Sequence, residues 1–528
     1  MKKTTVAIML LSALQMLASY AQRMVLAYFF GASSDMDKYF LCLTIPSTLV
    51  FFLKATGTSA SPVGTKFEET DRVDASRKLW GGLFWLAILT LGIVTSLLVW
   101  RAGDLAHIAG QQTNEQLTRT TLILRILLIS EFGMEGMSML VSNLQILRGR
   151  FILSKITGLF PFISLITGVS ILHSRLGVVS IAVSLAAGST TAAIVDVWSV
   201  RKDLDFGMLR NLFKVKMPEG FSSVVRHSLP VMVLTLNGQV LTAADNVMAT
   251  AIGAGALSVF TYAYGIFQIP QIIFTQASTL VKTPDLFKQA ARGNYSLFAK
   301  NIYETMESTL FLVMPATLGL IILREPLIRL MLQHGSFKPE TTAAVSHLLL
   351  YFAPVSILWA MWLCLGRPLI ALQRASSVMR IEVVMTVLSI GLNYLLRPWL
   401  GLEGLVLSTI LAMSFTVVGF LYVIQKEIKV LSIRTTIVIV LRTGAAALIM
   451  TAVCIIVKQV LVAGSVADIF VIGIVSTLGV IVYLFSSRLL HVEEATSITV
   501  NVRLLARRVL PWLPLRRIDP APGGGDQI

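Results

Sequence analysis

The sequence predicts an all-α polytopic membrane protein built from two similar halves, and three observations predict it. The 528 residues are 55% hydrophobic and only 14% charged, with a mean hydropathy of +0.78. A water-soluble fold cannot hide that much apolar surface, whereas lipid solvates it directly. Apolar stretches of roughly 20 residues, the length a helix needs to cross ~30 Å of hydrocarbon, recur along the whole chain. Finally, one phrase occurs twice. Gly31-Ala32 leads through Tyr39 and Phe40 to Ile45-Pro46, and Gly255-Ala256 leads through Tyr262 and Tyr264 to Ile269-Pro270. The glycine and proline pairs keep the same separation, so each copy reads as a turn feeding a helix that proline interrupts. Such repeated, interrupted hairpins in corresponding places point to a carrier with its substrate site between the halves. Glycine turns and membrane prolines are also common enough for such a match to be coincidence.

The spans open near Thr5, Lys38, Trp80, Thr121, Phe151, Leu176, Arg226, Leu257, Tyr303, Thr342, Ser377, Leu402, Arg434 and Gly464. That makes about 14 transmembrane helices, and almost nothing remains for a soluble domain. The formal net charge is +16, but the basic residues crowd alternate loops. Lys66, Arg72, Arg77 and Lys78 follow the second span, Arg148 and Arg150 the fourth. Arg201, Lys202, Arg210, Lys214 and Lys216 follow the sixth, and Lys282, Lys288, Arg292 and Lys300 the eighth. Arg374 follows the tenth span, and Lys426, Lys429 and Arg434 the twelfth, while the loop around Gly253 to Ala256 carries no charge. This positive-inside pattern places both termini in the cytoplasm. The excess charge thus reports topology, and no nucleic-acid partner is expected. Lys2-Lys3, the apolar run from Ala7 to Leu17 and Ala18 to Ala21 also resemble a cleavable secretory leader. Cleavage there would leave Arg23 at a new N-terminus and an odd number of spans. Cys42, Cys364 and Cys454 all fall inside predicted spans, which favours buried thiols over a disulfide framework.

Several functions are excluded by what the chain lacks. There is no G-x-x-x-x-G-K-[ST] phosphate loop, so this chain does not hydrolyse ATP. The six histidines are scattered, and no His/Cys/Asp group has metal-ligand spacing. The loops are too short for an extramembrane catalytic domain, so no enzyme activity is expected. A carrier or scaffold without its own fuel remains. For a carrier, an ion gradient or the membrane potential would suffice, since one charge crossing 100 mV is worth about 2.3 kcal/mol.

Ionisable groups at membrane depth are costly, about 2.5–3.5 kcal/mol each on insertion scales, and tend to face a cavity or a partner. Arg23 and Lys54 flank the first copy of the repeat and offer a cationic lining, which suits a phosphate or pyrophosphate. Lys54 can equally snorkel, and Arg23 can pair with a carboxylate for structure. Glu131 and Glu135 lie one helical turn apart and read either as a structural pair or as a proton or cation site. Arg125 is out of register with Glu135 and answers another helix. Asp245 sits among Asn237, Gln239, Thr242 and Asn246, the most polar patch within any span. Such oxygen ligands suit Na⁺ or a proton, with Asn393 as a further ligand, although an interhelical hydrogen-bond cluster uses the same groups.

The stretch from Phe30-Gly31-Ala32 through Asp37, Tyr39-Phe40, Ile45-Pro46 and Glu68-Glu69 resembles the opening of the MurJ/MviN family. That family reads F-G-A, an Asp, paired aromatics, L-P-N and an acidic end. Asp245, Ala249, Gly255, Tyr262-Ala263 and Ile269-Pro270 look like its second-lobe phrase. Leu332-Gln333-His334-Gly335-Ser336-Phe337 is similar to its L-F-x-x-G-x-F turn. Arg367 to Ala371, Asn393 and Gly401 to Leu405 follow in order, so the resemblance runs from about residue 5 to 425. It implies a flippase of the multidrug/oligosaccharidyl-lipid/polysaccharide exporter class, with two six-helix lobes around a central cavity and two extra helices behind them. The lobes would be residues 1–220 and 221–430, the extra helices 431–490, and residues 491–528 a basic cytoplasmic tail. That tail, with Arg503, Arg507-Arg508, Trp512 and Arg516-Arg517, is expected on the membrane surface, and Gly523 to Ile528 are expected to be disordered.

The family's type member moves lipid II, an undecaprenyl-pyrophosphate-linked peptidoglycan precursor, to the outer leaflet of the bacterial inner membrane. By position, the resemblance makes Asp37 and Arg367 substrate-binding candidates, and Arg23, one residue from a family arginine whose own place Gln22 takes, a third, with Lys54 the nearby cation. Asp245, Asn246 and Asn393 are candidates for coupling Na⁺ or H⁺, the only cofactor expected. This chain also departs from the pattern. Val50-Phe51 stand where the family carries paired arginines, Ala263-Tyr264-Gly265 where it reads A-D-R, and Ala375-Ser376-Ser377 in place of D-x-x-T-P. The lost arginines leave open an exopolysaccharide or other lipid-linked glycan, a drug or small-molecule exporter, and a non-transporting scaffold. The expected partners are a lipid-linked glycan, membrane lipids and glycan-assembly enzymes.

Overall fold

A computed structural model describes residues 3–107, 113–204, 218–429, 432–492 and 494. Among these residues every regular element is a helix and none is a strand. The expected membrane-surface tail, together with Arg210, Lys214 and Lys216, lies outside the described residues.

Helix α1 (Lys3–Phe30) ends at Gly31, whose φ of 56° only glycine adopts freely. The Ser33 side chain then accepts a hydrogen bond from Met36 N–H and caps α2 (Ser34–Glu69). Helix α3 is Val73–Trp100. A Thr113/Gln116 capping box opens α4, residues 114–147. It is α-helical over Asn114–Leu127 and Gly136–Leu147 and π-helical over Leu128–Glu135. Helices α5 (Phe151–Leu176), α6 (Val179–Val200) and α7 (Phe221–Thr250) follow. Helix α8, residues 256–291, contains a π-turn at Gln271–Thr275 directly after Pro270. Proline removes an N–H donor, so the hydrogen-bond ladder must shift beside it. By contrast, α2 runs through both Pro46 and Pro62. The proline interruption expected in each copy thus alters the helix type only in the second.

Next come α9 (Tyr295–Ile322) and α10 (Pro339–Ala371). Helices α11 and α12 run together as Ala375–Ile428 and are broken at Gly401, with φ 58°. The last two are α13 (Ile433–Ala463) and α14 (Asp468–Leu489). Ten of the described helices, with α11 and α12 taken as one, are long and apolar enough to cross a membrane. Large apolar side chains such as Ile93, Ile171, Val387 and Val460 point outward, as lipid allows and water would not.

The described residues pack as two compact units. The first gathers residues up to Ile269 with Arg324–Leu358 and Arg374–Phe420. The second gathers Pro270–Leu323, Trp359–Gln373 and the residues from Leu421 onward. Helix α7 lies along α2, because each presents small and polar residues that let backbones approach. One core of the first unit joins Leu26, Met36, Tyr39, Leu124, Leu165 and Ile181. In the second unit α9 packs on α13, and Phe311 meets Tyr483 with ring centroids 5.1 Å apart. Cys42, Cys364 and Cys454 are buried free thiols.

Candidate substrate and ion sites

Within the first unit the two copies of the repeat meet. Asp37, in the first turn of α2, is 3% exposed and accepts three hydrogen bonds from the start of α8. Gly255 N–H donates at 2.6 Å, Ser258 N–H at 2.7 Å and Ser258 Oγ at 2.5 Å. The carboxylate therefore caps a helix 218 residues away and meets the positive end of its dipole. Gly255 has φ 82°, and a Cβ there would come within 2.9 Å of the Ala32 carbonyl oxygen. Glycine is required on both counts. Tyr262 Oη donates to Gly31 O at 3.2 Å, and Phe40 and Phe337 flank its ring. The His334-Gly335-Ser336-Phe337 turn closes the other side of Gly31. Ser336 N–H donates to Tyr28 O at 2.8 Å and Ser336 Oγ to Phe29 O at 3.0 Å. The Gly-Ala turns of the two copies thus form one seam, and Asp37 faces that seam rather than open space.

Two turns along α1 from Gly31, the Arg23 guanidinium lies against Gly265 of α8, where any Cβ would collide with it. Tyr20, Tyr262 and Tyr264 surround it. Among the described residues Arg23 has no hydrogen-bond or ion-pair partner. The glycine that stands where the family carries arginine is what makes room for this side chain from α1. The sequence signals Arg23 and Gly265 separately, but only the fold brings them together.

Tyr264 also stands within electrostatic range of Asp245. Asn393 Nδ2 donates to Asp245 Oδ1 at 2.7 Å, and Ser408 Oγ donates to Asn393 Oδ1. Asp245 is buried and both partners are 0% exposed. Sequence reasoning missed Ser408, which lies beyond the Gly401 break from Asn393. Asn246 turns elsewhere and donates to Thr44 Oγ1 at 2.8 Å, while Asn237 donates to the Glu382 carbonyl at 3.0 Å. No group of three His, Cys, Asp or Glu among the described residues could hold a metal ion. This arrangement fits a proton or a single monovalent cation better than a divalent one.

Lys54 is exposed, with Nζ 5.2 Å from the centroid of the Phe51 ring. In the second unit, Arg367 donates to Thr283 Oγ1 at 2.7 Å. The structure therefore brings Arg23 toward Asp245 through Tyr264, and joins Asn393 to Asp245. Lys54 and Asn246 stand apart from that group. Arg125 donates to the Val99 carbonyl of α3 at 3.3 Å, the cross-helix partner its register called for.

Solved transporters of the MOP superfamily share this fold. A solved inward-facing multidrug resistance MATE transporter of that superfamily aligns with TM-score 0.67 at 14% identity, over 79% of this chain and 94% of its own. A solved structure titled lipid II flippase MurJ, inward closed conformation, aligns with TM-score 0.76 at 18% identity, over 92% of this chain and 98% of that one. The family model described as lipid II flippase MurJ matches residues 26–478, and the chain belongs to that family. A probable lipid II flippase MurJ of Thermotoga maritima is 23% identical over 94% of this chain and 98% of its own length. A Rhizobium meliloti relative of the same description is 37% identical, over 18% of each chain.

Proposed function

We propose that this protein flips lipid II across the bacterial inner membrane, with both termini in the cytoplasm, and so supplies peptidoglycan synthesis. The observation that carries the proposal is the family match over residues 26–478. The Arg23 site supports it. A guanidinium with no partner among the described residues offers a bidentate fork for a pyrophosphate oxygen pair. Arg23 grips the pyrophosphate, and Lys54 of the same unit is a further cationic candidate. The polyprenyl tail stays in lipid while the headgroup crosses by alternating access. The Asp37 seam is the latch that must open for release. Asp245, Asn393 and Ser408 bind the coupling proton or Na⁺. Enzymes that make or polymerise the lipid-linked precursor are the partners.

The test is translocation of fluorescent lipid II in proteoliposomes, beside replacement of the resident flippase in cells. Wild-type protein is expected to move the headgroup, and Arg23→Ala to fail while remaining folded. Movement of an exopolysaccharide repeat-unit lipid but not lipid II would overturn the substrate. Wild-type rates for both Arg23→Ala and Asp245→Ala would overturn the site.

A further inference from the structure

A second buried polar site lies within α4 and α6, apart from Asp245 and Arg23. The π-turn Leu128–Glu135 carries Glu131 and Glu135, with Gly136 N–H reaching back five residues to the Glu131 carbonyl. Asp196 of α6 stands within electrostatic range of Glu135, and Glu135 of Glu131. π-turns are rare and concentrate at functional sites.

The hydrogen bonding around these three carboxylates is short of donors. Glu131 receives only Ser189 Oγ, at 3.4 Å. Glu135 receives no hydrogen bond among the described residues. Asp196 receives Gln145 Nε2 at 2.8 Å, and the Thr157 hydroxyl also faces it. Two buried neighbours are also unsatisfied. Gln145 is 0% exposed and its Oε1 has no donor, while the hydroxyl of Ser138, 7% exposed, points to Asp196 without completing a hydrogen bond. A carboxylate only accepts, whereas a carboxylic acid donates one hydrogen bond. Each proton added here would thus supply a missing donor and remove a costly intramembrane charge.

Cations do not fill the deficit. Helix α2 presents Tyr39 to Glu131, and Lys54 on that helix sits over Phe51. Helix α3 presents Leu91 and Thr95 beside the π-turn. Within α4, Arg125 is turned to Val99 O. Below Asp196, Arg150 pairs with Asp203 and the Ser199 carbonyl, and Arg148 with Glu68 and Asp203. A metal ion is disfavoured because no three acidic, His or Cys groups among the described residues converge on one point.

We infer that Glu131, Glu135 and Asp196 form a proton-binding site in the first half of the chain. The acids hold protons in place of cationic partners, and Gln145 Oε1 is a ready acceptor for a protonated Asp196. The site stands whether or not the cargo is lipid II.

Infrared titration of the full-length protein in lipid tests it directly, read from the C=O stretch of protonated carboxyls. An Asp245→Asn background removes one buried acid outside the cluster and leaves Asp37, whose carboxylate already accepts three hydrogen bonds. At neutral pH that protein is expected to show protonated carboxyl absorption. Glu135→Gln should remove one carboxyl's share of it, whereas Glu135→Asp should retain it. Absence of the absorption in the Asp245→Asn protein itself would overturn the inference without relying on any cluster variant. So would absorption unchanged by both Glu135→Gln and Asp196→Asn. Loss of the absorption when Na⁺ replaces K⁺ would overturn it in favour of a cation site.

Discussion

Replacing Asp37 with asparagine should loosen the seam between the two copies of the repeat, and its size follows from the geometry. The carboxylate accepts three bonds from α8. Hydrogen bonds to a charged group contribute about 1.5–3 kcal/mol each. Asparagine keeps one oxygen for Ser258 but turns an amide N–H₂ toward Gly255 N–H, so one bond is lost outright. The remaining bonds become neutral, and the attraction to the helix dipole, about 0.3–1 kcal/mol, is lost as well. A total near 3 kcal/mol shifts the closed-to-open ratio roughly 100-fold, at 1.4 kcal/mol per decade. Ala263 on α8 is 0% exposed while the seam is closed. A cysteine placed there, in a background free of Cys42, Cys364 and Cys454, reports opening by its rate of maleimide labelling. When opening is a fast pre-equilibrium, that rate tracks the open population. Asp37→Asn should therefore label up to two orders of magnitude faster. Labelling within twofold of the parent, with Ser258→Ala equally silent, would refute the latch.

Gly265→Ala should displace the Arg23 guanidinium with little effect on the backbone, because the colliding atoms end a flexible side chain. Transport should fall about tenfold or more, the cost of misplacing a binding group by an ångström, with thermal stability nearly unchanged; equal losses of both would contradict the contact with α1. Asn393→Ala removes the donor to Asp245 and the acceptor for Ser408. It should cost roughly 2–4 kcal/mol in unfolding free energy, seen as a lower melting midpoint in detergent. Arg72 and Glu219 form a bidentate pair at 2.9 and 2.5 Å on an exposed surface, and the guanidinium hydrogen bonds hold the Glu219 carboxyl below its usual range. Any contribution of the pair is therefore present above the ordinary glutamate pKa and fades as pH falls through the depressed one. Solvent screening makes it small, so Glu219→Gln should leave the melting midpoint within experimental scatter at physiological salt.

Much of the fold is legible in the sequence because hydrophobic length is a local property. Each long apolar run becomes a helix, and the runs that could serve either as core or as lipid-facing surface are sorted by their own lengths. The π-turns at Leu128–Glu135 and Gln271–Thr275 are not legible, since one extra residue per turn barely disturbs an already apolar pattern. The candidate site divides along the same line. Asp245 and Asn393 stand out as polar residues in apolar spans, and the fold joins them. Asn246 carries the same signal, yet successive residues on a helix point about 100° apart, so it bonds Thr44 instead. Asp37 reads as a substrate ligand by position, but its partners lie at Gly255 and Ser258, and sequence spacing gives no measure of that distance.

The glycines of the repeat explain why the chain keeps the phrase while losing arginines around it. Gly31 and Gly255 are fixed by backbone sterics, since each adopts a positive φ and touches the backbone of another segment. Any side chain there would force the seam apart, so the turns cannot drift. Position 265 is under no such backbone constraint. There the Arg23 guanidinium occupies the space beside Tyr262 and Tyr264. A side chain at 265 would collide with the Arg23 guanidinium where it now lies, and glycine admits it. The arginine missing from the family motif at Gly265 leaves a space in this chain that the Arg23 guanidinium of α1 fills.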